Sequence, residues 1–342
     1  MTATTPPPVR TKLIFWLLLA VLSVAIAEVS VGSAPLAFVN PIEAVFLTVF
    51  YGSHLLLFAW LAFRKGWPSL PTLWFGGVLF GLYEFYITKV LWSPPWGDVI
   101  SLGHIDIVSF VVLAFFWHPF MAFILPLAIG ERMGSTTGWV RSLLPTPRRR
   151  RVVGGAVAAA IVHGTLTGSP EVAFASTASV ALAVAVAGRW WRRDGRQHRW
   201  ELRQLLPNAR QARFIGMLLA VQYAVFIPTW TPEKMPPLLG HVVVWLLYAG
   251  FLLLLSSSLR LSQQESPTAT VPLTRPPRGR TATIIAGGFV LTMLGALLPQ
   301  SIGFIPVWGI AIWVGLRMFW RSTRTVLGQA AADQPMTAAR RP

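Results

Sequence analysis

The chain reads as a series of long apolar runs broken by short polar stretches. At 1.5 Å of rise per helical residue, about 20 apolar residues cross a hydrocarbon layer about 30 Å thick. Runs of that order lie near residues 12–31, 41–63, 72–91, 105–130, 152–169, 171–188, 214–231, 238–259, 282–299 and 303–320. The pattern predicts an all-α fold, a polytopic transmembrane helix bundle of about ten spans over 12–320. Residues 1–11 form a short N-terminal segment and 321–342 a flexible tail.

Composition agrees with this pattern. Hydrophobic residues make up 54% of the chain and charged ones 12%, a balance that excludes an ordinary soluble core. There is no cysteine, which removes disulfides, thiolate metal sites and cysteine nucleophiles. Any metal would need His and carboxylate ligands. No P-loop is present, and Gly154 with Gly155 reads as helix packing. No internal repeat of the kind found in inverted-repeat transporters is evident.

The net charge of +17 raises the question of a nucleic-acid partner, and its distribution answers it. Every Lys and Arg except Lys89 and Lys234 falls in the termini or in alternate loops, as in Arg64 with Lys65, Arg148–Arg151, Arg189 to Arg213, and Arg275 to Arg280. This is the positive-inside pattern, so both termini are expected in the cytoplasm and the protein in the plasma (inner) membrane. Basic cytoplasmic loops are expected near 131–151, 189–213 and 260–281, facing anionic lipid headgroups, with no nucleic-acid partner. The 189–213 stretch, with Trp190, Trp191 and Trp200, suits an interfacial helix or a solvated loop. Ala25 and Ala27 before Glu28 also fit a signal-peptidase site, and cleavage there would leave nine spans; retention of the first span is the expectation adopted.

With that orientation, Glu28, Glu43, Glu84, Asp98, Asp106, Glu171 and Glu233 fall outside or within the membrane. So do His104, His118, His163 and His241, between mid-span and the outer ends. An uncompensated charge at a helix centre costs roughly 2.5–3.5 kcal/mol on insertion scales, so these groups are expected to face one another or a wet cavity open to the outside.

Glu84 lies about 18 Å along the third span from Thr72, just past mid-membrane. Lys89 sits near the outer edge, where its stem can snorkel, and points about 140° away from Glu84 around a helix, so the two are not expected to pair. Glu84 then needs a partner on another span or a neutral carboxyl; it is either a structural hydrogen-bonded group or a proton carrier, general base or metal ligand. His118 adjoins Pro119 and precedes Pro126, which predicts a kinked fourth helix with freed carbonyls. Glu84, His118 and His163 are the catalytic or metal candidates, a divalent ion being the one cofactor considered. Glu28, Glu84, Lys89, His104, Asp106 and Gln222 are the substrate-binding candidates. The H-x-D spacing of His104 and Asp106 puts them on different faces of a helix, and so is a weak metal signal. The segment 92–98, WSPPWGD, suits an aromatic anchor or a lid, and residues 28–41 a shallow re-entrant segment.

Glu28, Gly32–Pro35, Asn40 with Pro41, and Tyr51–Ser53 resemble the motifs of a family of uncharacterised prokaryotic polytopic membrane proteins. Tyr83, Glu84, Lys89, Trp92, Pro94 and Trp96 resemble that family's next motif, and His118 its mid-span histidine. The resemblance covers roughly the first 130 residues and brings no activity with it. More distantly, a carboxylate span followed by His-bearing spans is similar to the membrane-embedded CAAX-type metalloproteases. The chain departs from that pattern in carrying Tyr83 for the first Glu and Thr88 for the basic residue.

Three functions compete. The leading one is transport or lipid handling, with Glu84 and nearby His taking up protons or engaging headgroups, and no enzymatic activity. The others are an intramembrane metal-dependent hydrolase or its non-catalytic relative, and a non-catalytic partner subunit.

Overall fold

The computed structural model describes residues 6–97, 100–145, 149–193, 200–263 and 278–332. Asp98, the remaining parts of the three basic loops, and the end of the tail lie outside the described residues. Ten helices longer than ten residues follow one another among the described residues: α1 Val9–Val29, α2 Pro41–Phe63, α3 Leu70–Gly81, α4 Ile107–Gly134, α5 Arg149–Thr167, α6 Pro170–Arg193, α7 Ala209–Thr229, α8 Leu238–Ser258, α9 Arg278–Gly295 and α10 Gln300–Ala332. They match the ten apolar runs one for one. Seven of them, α1, α2, α4, α6, α7, α8 and α10, are long and apolar enough to cross a membrane; α3 and the apolar parts of α5 and α9 are shorter.

The starts follow local chemistry that the sequence carries. Asn40 caps α2, its side-chain oxygen accepting from the Ile42 amide at 3.0 Å, with Pro41 filling the first position. Ser69 caps α3 by accepting from the Thr72 amide, and Asn208 forms a capping box with Gln211 at the start of α7.

Burial separates a centre from a rim. Of the apolar windows of α1 and α4, 67% is buried inside the protein, against 17% for α7 and α10. α1 lies against α2, α4 and α6. α3 is enclosed by α2, α4, α8 and α10, and every residue from Thr72 to Phe85 is buried.

That enclosure corrects the expected continuous helix over 72–91. α3 stops at Gly81, passes through a 3-10 turn at Leu82–Phe85, and runs on as turns, with Lys89 in the left-handed region at φ 60°. Irregular backbone at membrane depth is tolerated where protein covers it, which is the case here.

α4 is π-helical over Val111–Ile124. Pro119 within this stretch has no N–H to give, and the Phe115 carbonyl accepts the Trp74 indole N–H of α3 at 3.0 Å. The expected irregularity at Pro119 thus takes the form of a widened helix.

At the basic end, the Glu131 carboxylate is fully buried and accepts from Thr137 Oγ1 at 2.9 Å and from the Trp139 and Val140 amides at 2.8 and 2.9 Å. In the described part of 189–213, helical segments to Arg193 and over Leu202–Leu205 pack against α1. α6 continues to Arg193, and Trp191 is buried on Phe15. The Leu205 and Leu206 carbonyls accept from Trp16 and Lys12 of α1. Residues 30–40 form turns and bends.

The closest approach in the centre is α3 on α4. A Cβ added at Gly77 would overlap the Pro119 backbone, and one at Gly81 would meet Ala114 Cα at 3.1 Å and His118 Cβ at 3.0 Å. Gly77→Val is therefore expected to destabilise the protein by about 1–3 kcal/mol through overpacking, read as a lowered midpoint of thermal unfolding in detergent. An unchanged midpoint would mean that α3 and α4 do not pack this closely.

Candidate functional site

Four segments meet beneath the charge-poor end of the bundle. Glu28 lies in the π-helical last turn of α1, Tyr51 midway along α2, Tyr83 and Glu84 in the 3-10 turn after α3, and His118 in the π-helical part of α4. Ending α3 at Gly81 turns consecutive residues, Tyr83 and Glu84, toward the same neighbour. Both contact His118: Tyr83 Oη lies 3.2 Å from Nε2 and Glu84 Oε1 3.4 Å from the same nitrogen.

The hydrogen bonds run on without a break. The Tyr83 and Tyr51 hydroxyls are 2.7 Å apart, the Tyr51 hydroxyl donates to Glu28 Oε1, and Ser33 Oγ donates to Glu28 Oε2 at 2.5 Å. At the other end, Thr88 Oγ1 donates to Glu84 Oε2. Two carboxylates on different helices are thus joined through two phenols and one imidazole. Glu28 is half-buried beside exposed Ser33, whereas Tyr51, Tyr83, Glu84 and His118 are buried, so the array leads from the edge of the protein inward.

Neighbouring bonds fix the state of His118. Its Nδ1 lies 3.0 Å from the Leu113 carbonyl, which can only accept, so Nδ1 carries a proton. Nε2 is then the basic atom of the neutral ring, and it faces Tyr83 and Glu84. A proton at Nε2 makes an imidazolium beside the Glu84 carboxylate; a proton on Glu84 makes a neutral acid donating to Nε2. The geometry accommodates both. His54, the other buried histidine on α2, has its Nδ1 2.9 Å from the Phe50 carbonyl and Nε2 3.2 Å from the Tyr223 hydroxyl, with its ring 5.4 Å from that of Tyr83.

The remaining candidates are placed elsewhere. His163 on α5 has its ring nitrogens near the Ser30 carbonyl at 3.2 Å and Ser176 Oγ at 3.3 Å, so it does not join Glu84 and His118. Among the described residues no three His, Asp or Glu side chains converge as a metal site would require. Lys89 does not snorkel: it is fully buried and donates to the Trp230 carbonyl at the end of α7. His104 is exposed at the tip of a two-residue hairpin between β1, Ser101–Leu102, and β2, Ile105–Asp106, where Gly103 and His104 both have positive φ. Asp106 is buried and caps α4, accepting from the Ser109 amide at 2.6 Å. Gln222 presents a buried Oε1 with no hydrogen-bond partner.

Tyr51, Tyr83 and Thr88 are members of the array that enter from the sequence only in motif resemblances and not as site candidates. A signal was available: the chain has 5 tyrosines, all within predicted apolar runs, and all fall in or next to this cluster.

The model of an uncharacterised membrane protein family matches residues 17–328. An uncharacterised protein of Archaeoglobus fulgidus is 28% identical over 264 residues, covering 75% of this chain and 82% of that protein. No solved structure matches.

The hairpin assignment predicts opposite effects for two substitutions of His104. His104→Val forces a β-branched residue into the left-handed region and is expected to lose about 1–2 kcal/mol of stability, whereas His104→Gly stays within about 1 kcal/mol of wild type. Thermal unfolding in detergent separates them; equal losses would point to a lost side-chain contact instead.

Proposed function

The chain belongs to the uncharacterised membrane protein family matched over residues 17–328, and on the premise of an integral membrane protein we propose that it handles protons in transport or lipid handling. The observation that carries this reading is the unbroken array Glu28–Tyr51–Tyr83–His118–Glu84. We place the protein in the plasma (inner) membrane with both termini cytoplasmic, as the placement of Lys and Arg favours.

The step balances atom by atom. In one state, protonated Glu28 donates to Tyr51 Oη, Tyr51 to Tyr83 Oη, and Tyr83 to His118 Nε2. The Tyr83 proton passes to Nε2, the Tyr51 proton to Tyr83, and the Glu28 proton to Tyr51. Glu28 is left as a carboxylate and His118 as an imidazolium, and Glu84 supplies the compensating charge or takes the proton on. Cargo or headgroup that displaces the proton from Glu84 would couple its own movement to this transfer.

A metal-dependent hydrolase gains less support, because it asks for Glu84, His118 and His163 at one ion and His163 is engaged with Ser30 and Ser176.

Infrared pH titration of the full chain in nanodiscs tests the reading without knowledge of the cargo. Wild type is expected to show a titrating carboxyl stretch that vanishes in Glu84→Gln. In Tyr83→Phe, which keeps the ring and deletes the bridging hydroxyl, its midpoint is expected to move by about one pH unit or more. Spectra of Glu84→Gln indistinguishable from wild type would overturn the assignment of Glu84 as a proton carrier.

A further inference from the structure

Lys89 is the least expected buried group in the protein. It is fully enclosed, yet the one ion pair among the described residues is His118 with Glu84, so no described carboxylate lies within ion-pair distance of the Lys89 ammonium. Glu233, two residues past Thr231, acts on it only through space. Of the three donors on Nζ, one is directed to the Trp230 carbonyl. A buried cation without a counter-charge is costly, and the fold nonetheless holds this one in place with a strained left-handed backbone, φ 60°, at Lys89 itself.

Two more unused donors belong to the same corner. The Lys89 carbonyl accepts the amides of Trp92 and Ser93 at 3.0 and 3.1 Å, a tight turn that ties the two backbones together. The Trp92 side chain is more than nine-tenths buried, wedged between Phe85 and His241 with ring centroids 4.8 and 6.2 Å away, yet its Nε1–H has no partner. Thr231, next to the carbonyl that Lys89 grips, is also left-handed, φ 46°, and its Oγ1 is buried without a partner. Unpaired buried donors are rare and call for a ligand or water. A cation, an indole N–H and a hydroxyl, carried by two turns that the Lys89–Trp230 bond joins, ask for an acceptor bearing several oxygens and negative charge.

We propose that Lys89, Trp92 and Thr231 form a site for a phosphate group at the charge-poor end of the bundle. Lysine serves as the point charge, as it does in many phosphate sites, and the indole and hydroxyl take further oxygens. The source is either an anionic phospholipid headgroup, which the depth of a tryptophan-bearing turn suits, or free inorganic phosphate. The site is independent of whether Glu84 moves protons.

Full-length protein in detergent, delipidated and then titrated, tests this with two probes: phosphatidylglycerol followed by native mass spectrometry, and inorganic phosphate followed by calorimetry. Binding of the first alone identifies a headgroup site and of the second alone a soluble-phosphate site. In either case Lys89→Gln is expected to weaken binding by about tenfold or more. Trp92→Phe, which keeps the packing and removes only the N–H, is expected to weaken it several-fold. Lys234→Gln, outside the site, is expected to bind as wild type does. Failure of wild type to bind either probe, or equal binding by wild type, Lys89→Gln and Trp92→Phe, would overturn the proposal. None of these results bears on the infrared titration of Glu84.

Discussion

The contact on which the rest of the structure depends is that of α3 with the π-helical part of α4. Gly77 and Gly81 let the two backbones approach until Pro119 and His118 sit where side chains of α3 would otherwise be. Three consequences follow from this single approach. The Phe115 carbonyl accepts the Trp74 indole N–H across the contact. The His118 ring comes within reach of Tyr83 and Glu84. The end of α3 is enclosed on all sides, so its backbone can leave the helix at Gly81 without meeting lipid.

The two ends of the bundle handle buried charge differently. At the basic end Glu131 is surrounded by donors from its own chain, and Thr137, Trp139 and Val140 are fixed by it. Such a carboxylate organises a loop and has little left to offer a ligand. At the charge-poor end, Glu84 and His118 share a proton position, and Lys89, Trp92 and Thr231 keep donors in reserve. Full satisfaction rigidifies a polar cluster, whereas partial satisfaction leaves it able to respond to something that arrives.

Much of the fold was legible because hydrophobic run length is a direct physical requirement of a bilayer, and all ten runs correspond to helices. The caps at Asn40, Ser69 and Asn208 were written in local chemistry. The ends of α3 were not, since an apolar sequence such as GLYEFYITKVLW has the same hydropathy whether it is one helix facing lipid or a broken one surrounded by protein. Glu84 and His118 were identifiable as polar intruders, and Glu28 as a border carboxylate. Their connection was hidden because it passes through Tyr51 and Tyr83, which hydropathy counts as ordinary aromatics. Lys89 and His104 were misplaced for a shared reason: both were read on helices, and both occupy left-handed turns whose conformation is set by their surroundings.

The Tyr51–Tyr83 pair also gives the array a direction. Two hydroxyls in series between acids at either end must point the same way, toward Glu28 or toward His118, and passing one proton along them reverses both. The rings are clamped by aromatic neighbours, Phe50 and Phe80 among them, so only the O–H bonds turn. Until they do, a second proton cannot follow the first. Were protons to pass along it, such an array would keep a record of which end was served last, because both hydroxyls would have to turn before the next transfer.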